Sequence, residues 1–348
     1  MKFKKRYLLA FPILLGAAAL LGPRVHFEPI TLEKDDFDLP IEELDQFLAE
    51  REAKVVNLKP ENESRIIWAD GQQKTEYSIV YLHGYSASPM EGHPVHEQLA
   101  KRYGCNLYLP RLDGHGIDDE ESFLNLTPDG LMDDAKEALD IGHLIGEKVI
   151  LMSCSTGGTL SNYLAAKLPE RVHAQIMYSP NFAIYDSNAK FLTGPWGDQI
   201  ARKVGGGNYR SFVPPPGGEK YWTTKYRIEG VLALQKLLDW STTPEIFKAI
   251  KQPYFLGYYY KSEEVSDHIV SIPAMLDYHE ITSTPDKMKR CIPFPDVGNH
   301  VMISDIQADD YTDVVAKTEK FMEEVLKMGV RKIEKPVDGM IGDSNSGK

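Results

Sequence analysis

Ser155 follows the apolar run Val149-Ile150-Leu151-Met152, inside the string Ser153-Cys154-Ser155-Thr156-Gly157-Gly158, and is succeeded by Thr159-Leu160-Ser161-Asn162-Tyr163-Leu164. A short β-rich run that stops at small residues and continues with helical composition reads as strand, tight turn, helix. A serine at such a turn projects from the sheet on a strained backbone, and small residues two before and two after it let the turn close. The chemistry on offer is nucleophilic attack on an acyl carbon, with the first N–H groups of the helix placed to receive an oxyanion. The competing reading is a serine that merely caps the helix. The usual spacing is Gly-x-Ser-x-Gly, and here Ser153 stands where the first glycine would be.

A serine nucleophile needs a base to take its proton and an acid to hold that base. On a doubly wound sheet they follow the nucleophile in the order carboxylate, histidine, each in a loop after a strand. His300 lies in the polar loop after the strand-like run 291–294 and is the expected base. Asp267 lies in the loop after the run 254–260 and is the expected acid, with Glu263 and Glu264 in the same loop as alternatives. Asp267 is favoured because the apolar pair Ile269-Val270 would pin the loop into the core, where a buried negative charge supports an imidazolium. Of the two oxyanion donors required, one is Thr156 N–H. The other is Tyr85 N–H in His83-Gly84-Tyr85, where Gly84 permits close approach and His83 braces the loop. Gly157 supplies the small residue after the nucleophile. His83 and His115 both adjoin glycines and are read as loop-orienting. The chain has no His-Glu-x-x-His pattern and no paired-carboxylate spacing, so neither metal nor cofactor is expected.

These residues need a scaffold that gathers them at one edge, and the chain alternates strands with helices. Strand character occurs at 64–68, 78–82, 105–109, 149–152, 174–178, 254–260, 272–278 and 291–294. Helices are predicted over 41–53, 94–102, 127–145 and 310–328, besides the one after Ser155. This pattern predicts an α/β fold with a mostly parallel sheet covered on both faces. It breaks between 183 and 250, a stretch with Gly205-Gly206-Gly207, Pro214-Pro215-Pro216, many tyrosines and three of the four tryptophans (Trp196, Trp222 and Trp240). An insertion this aromatic reads as a cap over the site rather than a disordered linker.

With 348 residues, 42% hydrophobic and 26% charged, the chain has the composition of a globular α/β enzyme. Its net charge is -12, and Lys2, Lys4, Lys5 and Arg6 make residues 1–22 basic, so the remainder stands at -16. Such a body is not expected to seek nucleic acid or anionic lipid. The basic start followed by the apolar run 7–22 predicts an export signal or a short signal anchor. No Ala-x-Ala site follows it, and no cysteine lies near its end to carry a lipid. The run is shorter than the roughly 20 residues of a spanning helix. Charge ahead of the run favours a translocated body. The expectation is an exported protein, held at a membrane if the run is kept. Cys105, Cys154 and Cys291 show no metal spacing and are expected to be buried thiols.

Five stretches resemble the α/β-hydrolase family: Tyr81-Leu82-His83-Gly84-Tyr85-Ser86-Ala87-Ser88-Pro89, Leu109-Pro110-Arg111-Leu112-Asp113-Gly114-His115-Gly116, the elbow at Ser155, Asp267-x-x-Val270, and Gly298-Asn299-His300. The resemblance spans residues 64–328. It is to the branch of bacterial carboxylesterases, monoacylglycerol-lipase-like enzymes and serine aminopeptidase domains. It implies a triad of Ser155, Asp267 and His300, an oxyanion hole from Tyr85 and Thr156, and a helical cap between the sixth and seventh strands. The domain plan is then 1–22 signal peptide or anchor, 23–60 N-terminal extension, 61–182 and 251–330 core, 183–250 cap, and 331–348 flexible tail. The expected activity is cleavage of a small-molecule carboxylic ester through an acyl-enzyme, the aromatic cap favouring an apolar acyl group. An amide-cleaving, aminopeptidase-like activity would need clustered carboxylates in the cap, where Asp186, Asp198 and Glu219 are scattered. A catalytically silent hydrolase-like binding module is the third reading, and the presence of all three triad residues opposes it.

Overall fold

The computed structural model describes Gly16, residues 20–33 and residues 35–331. The expected signal or anchor (1–22) and the expected tail (331–348) lie almost wholly outside the described residues. In chain order the structure runs α1 (Leu44–Glu52), β1 (Arg65–Ile67), β2 (Thr75–Leu82), α2 (Val95–Tyr103), β3 (Asn106–Leu109), α3 (Pro128–Ile145), β4 (Gly146–Cys154), α4 (Thr156–Lys167) and β5 (Ala174–Tyr178). An insertion follows, with α5 (Gly197–Gly205), β6 (Tyr209–Ser211), β7 (Lys225–Arg227), α6 (Ile228–Ser241) and α7 (Pro244–Ala249). The chain then closes with β8 (Tyr254–Tyr259), α8 (Ile272–Ile281), β9 (Lys289–Phe294) and α9 (Thr312–Glu324).

Seven of these strands form one sheet in the order β1-β3-β2-β4-β5-β8-β9, with β1 antiparallel at one edge and every other pairing parallel. Strands covered on both faces read as unbroken apolar runs, and β3, β5 and β8 are buried along their whole length. Leu44, Met132, Leu139 and Leu160 bring α1, α3 and α4 onto one face. Val95, Leu99, Phe321 and Met322 bring α2 and α9 onto the other. The registers Leu82↔Ser153, Cys154↔Tyr178 and Tyr178↔Gly257 align the carboxyl ends of β2, β4, β5 and β8. The loops that leave those ends therefore share one rim, where parallel α/β sheets place their ligands.

Two expectations need correction. The run 272–278 is not a strand but the start of α8. Ser271 caps that helix by accepting Ala274 N–H, and Pro273 occupies its first turn, where a missing N–H costs nothing. The insertion follows the fifth strand of the sheet rather than the sixth, because the sheet counts one strand fewer ahead of it. Nor is the insertion detached. Leu237, Ile246, Phe247 and Ile250 pack in the same core as β4 and α4. The N-terminal extension straps both parts, since Pro23 C=O accepts Trp196 N–H (2.7 Å), Thr31 N–H reaches Asp129 (3.0 Å) and Phe37 N–H reaches Asp140 (2.9 Å).

The tightest point of this scaffold is where α4 begins. A Cβ on Gly157 would overlap the Leu82 carbonyl oxygen and come within 2.9 Å of His83 O. Backbone cannot yield as a flexible side chain would. We expect Gly157→Ala to destabilise the protein by about 3 kcal/mol, read as a lower urea midpoint, or to prevent folding.

Candidate active site

Ser155 sits between β4 and α4 with φ 52° and ψ −119°, a conformation that costs an L-residue energy and turns its side chain out of the sheet. Its backbone is locked on both sides. Ser155 N–H donates to Tyr178 O (3.1 Å), and its carbonyl accepts from Gly158 and Asn181 (2.9 Å each). Ser153, in the position usual for glycine, is wholly buried in β4. Its hydroxyl lies 3.8 Å from where a Cβ on Gly158 would stand, an ordinary contact distance; what that glycine makes room for is Pro180, whose Cβ would be 2.6 Å away. The side chain of Ser155 makes no capping bond to α4, which leaves the hydroxyl free for other partners.

The loop after β2 closes against this turn. A Cβ on Gly84 would stand 3.0 Å from the Ser155 Cβ and 2.7 Å from Glu91 Oε1. His83 braces the loop: its Nδ1–H donates to Gly84 O (2.9 Å), and its Nε2 accepts Leu112 N–H (3.1 Å). Burial pushes the His83 pKa down to about 4, so the ring stays neutral in this one tautomer. The Tyr85 ring is fixed among aromatics, with Phe123 at 4.9 Å and Tyr226 at 5.3 Å between centroids. Tyr226 belongs to the insertion, and Gly230 of α6 passes so close that a Cβ there would meet Tyr85 Oη at 2.6 Å. Thr223 N–H donates to Ser86 O (2.6 Å). The insertion therefore bears directly on the loop that carries Tyr85. Thr156, the first residue of α4, has an N–H with no intrahelical acceptor. The His115 ring is tilted against that of His83, 5.1 Å between centroids, and its Nδ1 binds Asp113 O (2.8 Å), the loop-orienting part read from its glycine neighbours.

The structure brings Asp267 and His300 together. His300 Nδ1 lies 2.6 Å from Asp267 Oδ2, while Asp267 Oδ1 accepts N–H from Ile269 (2.8 Å) and Val270 (3.2 Å). Glu263 and Glu264 are exposed and stay away from the imidazole. The pair Ile269-Val270 does not pin the loop as expected. Val270 alone is buried, bridging to Ile184, and Ile269 is solvent-facing and contributes its N–H instead. Burial would lift the Asp267 pKa, but the His300 charge, the bond to it and the two N–H donors outweigh that and hold it below the ordinary carboxylate value. Burial likewise opposes charge on His300, yet Asp267 and the more distant Glu91 raise its pKa above the ordinary imidazole value. His300 Nε2 is buried with no hydrogen-bond partner, so its bond to the Ser155 hydroxyl is not formed here. Such bonds are commonly long in unliganded enzymes and tighten on substrate.

Glu91 escaped the sequence reading. It lies seven residues beyond Gly84 in Ser88-Pro89-Met90-Glu91-Gly92, and nothing in that pattern marks an acid for burial. In the structure it is almost fully enclosed, and its Oε2 accepts Tyr81 O–H (2.9 Å) and Gly84 N–H (2.8 Å). Burial pushes its pKa up to about 7 against those donors and the positive field of His300. Glu91 also consumes the Gly84 N–H, which leaves Tyr85 N–H as the next donor along this loop. Cys154, next to the turn, is buried with its thiol pKa pushed up, and so lacks the thiolate a cysteine nucleophile needs. Cys105 is buried too, but Cys291 is only half-buried. Among the described residues no cluster of His, Cys, Asp and Glu could hold a metal ion.

A model of the alpha/beta hydrolase family matches residues 79–316, and the chain belongs to that family. Solved structures agree on the fold. Metagenome-derived lipolytic enzymes described as LipS and LipT share 15% identity at a TM-score of 0.62, covering 76% of this chain and 99% of theirs. A monoacylglycerol lipase from Paleococcus ferrophilus shares 14% at 0.55, covering 74% and 97%. A thermophilic esterase from Thermogutta terrifontis shares 16% at 0.50, covering 76% and 94%. No curated protein matches the chain.

Two pH effects follow from this electrostatic arrangement. A histidine base works only when neutral, so kcat/KM for a substrate is expected to rise with pH through a midpoint above the ordinary imidazole value. Asp267→Asn should move that midpoint down and cost roughly 10³–10⁴ in kcat. Glu91 has its folded pKa raised, so its contribution to stability is complete below about 4.5 and is lost as pH climbs through about 7. Urea unfolding of Glu91→Gln across that window should lack this loss, a difference on the order of 3 kcal/mol.

Proposed function

We propose that this protein is a serine hydrolase of carboxylic esters. The observation that carries the reading is an imidazole fixed through Nδ1 on a buried carboxylate, its Nε2 buried and unpaired, at the rim where Ser155 stands on a strained turn. His300 takes the Ser155 proton as Oγ adds to the acyl carbon. The N–H groups of Tyr85 and Thr156 receive the oxyanion, and Asp267 supports the imidazolium. His300 then protonates the departing alcohol. A water activated by the same imidazole attacks the acyl-enzyme, releasing the acid and restoring Ser155. A cleft of about 470 Å³ lies beside the Asp267 loop, lined among others by Phe182, Tyr185, Leu238 and Ser271. Its lining is half polar, with Asp186, Lys190, Gln235 and Asp239, and includes none of Ser155, Asp267 and His300, so the support for an apolar acyl group comes from the Tyr85, Phe123 and Tyr226 rings.

Ester rather than amide cleavage is favoured because Asp186, Asp198 and Glu219 lie on separate turns of the insertion and several of its carboxylates are already engaged. Asp186 caps its own turn through Asn188 N–H, Asp198 pairs with Arg202, and Asp239 accepts from Thr193 and Gln235. None of these forms a cluster that would hold a substrate ammonium. We expect a fluorophosphonate probe to label the protein and Ser155→Ala to abolish labelling, with acyl-ester turnover falling by at least about 10⁴-fold. Acyl esters should turn over faster than aminoacyl arylamides. Labelling that survives in Ser155→Ala would overturn the assignment, and absent turnover with ligand binding intact would point to a silent binding module.

A further inference from the structure

The loop that carries Tyr85 is held at Gly84 from two directions. Gly84 has no Cβ, so its own backbone does not settle how its two flanking peptides turn relative to each other, and that angle is left to hydrogen bonds. The peptide after it is pinned through Gly84 O, which accepts from His83 Nδ1 (2.9 Å) and Ala87 N–H (3.2 Å). A trans peptide is planar, so fixing that carbonyl fixes the Tyr85 N–H on the opposite side of the same plane. The peptide before it is pinned through Gly84 N–H, whose acceptor is Glu91 Oε2 at 2.8 Å.

Glu91 is gripped in turn. It lies in a single 3-10 turn, Pro89–Gly92, and is 2% exposed. Its own N–H donates to Ser88 O (2.9 Å). Oε2 also accepts Tyr81 O–H from β2 (2.9 Å), and the Cys154 thiol, one residue before Ser155, adjoins the same carboxyl. The Tyr81 ring is set edge-on against His96 of α2, 5.0 Å between centroids, and both crowd Gly92, where a Cβ would meet His96 at 2.4 Å and Tyr81 at 2.6 Å. The other carboxyl oxygen, Oε1, would stand 2.7 Å from a Cβ on Gly84, and the same Cβ would be 3.0 Å from that of Ser155. An acid enclosed in this way weakens the fold as pH climbs through about 7. A group with that cost, set beside the strained turn, is arranged for the site rather than for stability.

We propose that Glu91 is a positioning residue for the ester hydrolysis assigned to Ser155: by accepting Gly84 N–H it sets the orientation of the backbone on either side of Gly84 and so aims Tyr85 N–H at the oxyanion. It touches neither the substrate nor the reacting atoms. The inference rests on Ser155 as the nucleophile.

Two variants of the full chain separate reach from charge. Glu91→Gln loses the charge and keeps an oxygen able to accept both bonds. Glu91→Asp keeps the charge and is one methylene short of Gly84 N–H and Tyr81 O–H. Turnover of an acyl ester is measured per active site, with sites counted by fluorophosphonate labelling taken to completion. Positioning predicts kcat within about threefold of the parent for Glu91→Gln, and a fall of roughly 10- to 100-fold with KM unchanged for Glu91→Asp. The inhibition constant of an acyl trifluoromethyl ketone, whose adduct with Ser155 carries an oxyanion, should rise by the same factor in Glu91→Asp. That of the matching alcohol, which forms no oxyanion, should not. Glu91→Met, of similar volume and without a carboxyl acceptor, carries the same expectation as Glu91→Asp and replaces it should the shorter acid not fold. A larger fall in kcat for Glu91→Gln would mean that the charge acts on His300, and overturns the proposal. Unchanged kcat per labelled site in every variant would mean a purely structural part, and overturns it as well. A parent protein that neither labels nor turns over esters fails the functional reading itself, whereas an active parent with an unimpaired Glu91→Asp fails this proposal alone.

Discussion

Two stretches of backbone meet where α4 starts, and the rest of the site is built around that contact. The first turn of α4 presses on the Leu82 carbonyl with only the hydrogen of Gly157 between them. The His83-Gly84 loop closes from the other side, so near that Gly84 could carry no side chain without reaching Ser155. Both approaches are needed at once to bring the loop after β2 and the start of α4 to the same turn. The positive φ of Ser155 is the strain that this geometry imposes, and three backbone bonds to Tyr178, Gly158 and Asn181 hold it in place.

Charge is arranged in the same layer. Asp267 can stay ionised while buried because both of its oxygens find donors: His300 on one, two backbone N–H groups on the other. Glu91 accepts from Tyr81 O–H and Gly84 N–H, and its pKa rises where that of Asp267 falls. Two carboxylates within the field of one imidazole are thus shifted in opposite directions, by hydrogen bonding in one case and desolvation in the other. His83 is kept neutral by burial alone, which suits a residue that holds a loop by one donor and one acceptor.

Much of this was legible from local pattern. The Ser155 turn, the Thr127-capped α3 and the strands 78–82 and 174–178 are written in runs whose neighbours in sequence are also their structural context. The misreading of 272–278 shows where pattern fails. A short apolar run is ambiguous between buried strand and helix, and the deciding signal was the capping serine and early proline just ahead of it. Ile269 misled for a related reason: hydrophobicity does not guarantee burial at a loop tip, where the backbone N–H can be the functional group.

The sequence by itself determined the order of the parts: a serine at a strand-to-helix turn, a later acid loop, a still later histidine loop, and an alternation that makes a parallel sheet. It also determined the charge split between a basic start and an acidic body. Tertiary structure alone decided which of three acids meets His300 and that Glu91 is drawn beneath Gly84. Those outcomes depend on contacts between residues tens to hundreds of positions apart, and on burial that only the assembled layers create. Residue type and spacing carry no information about either until the chain has folded.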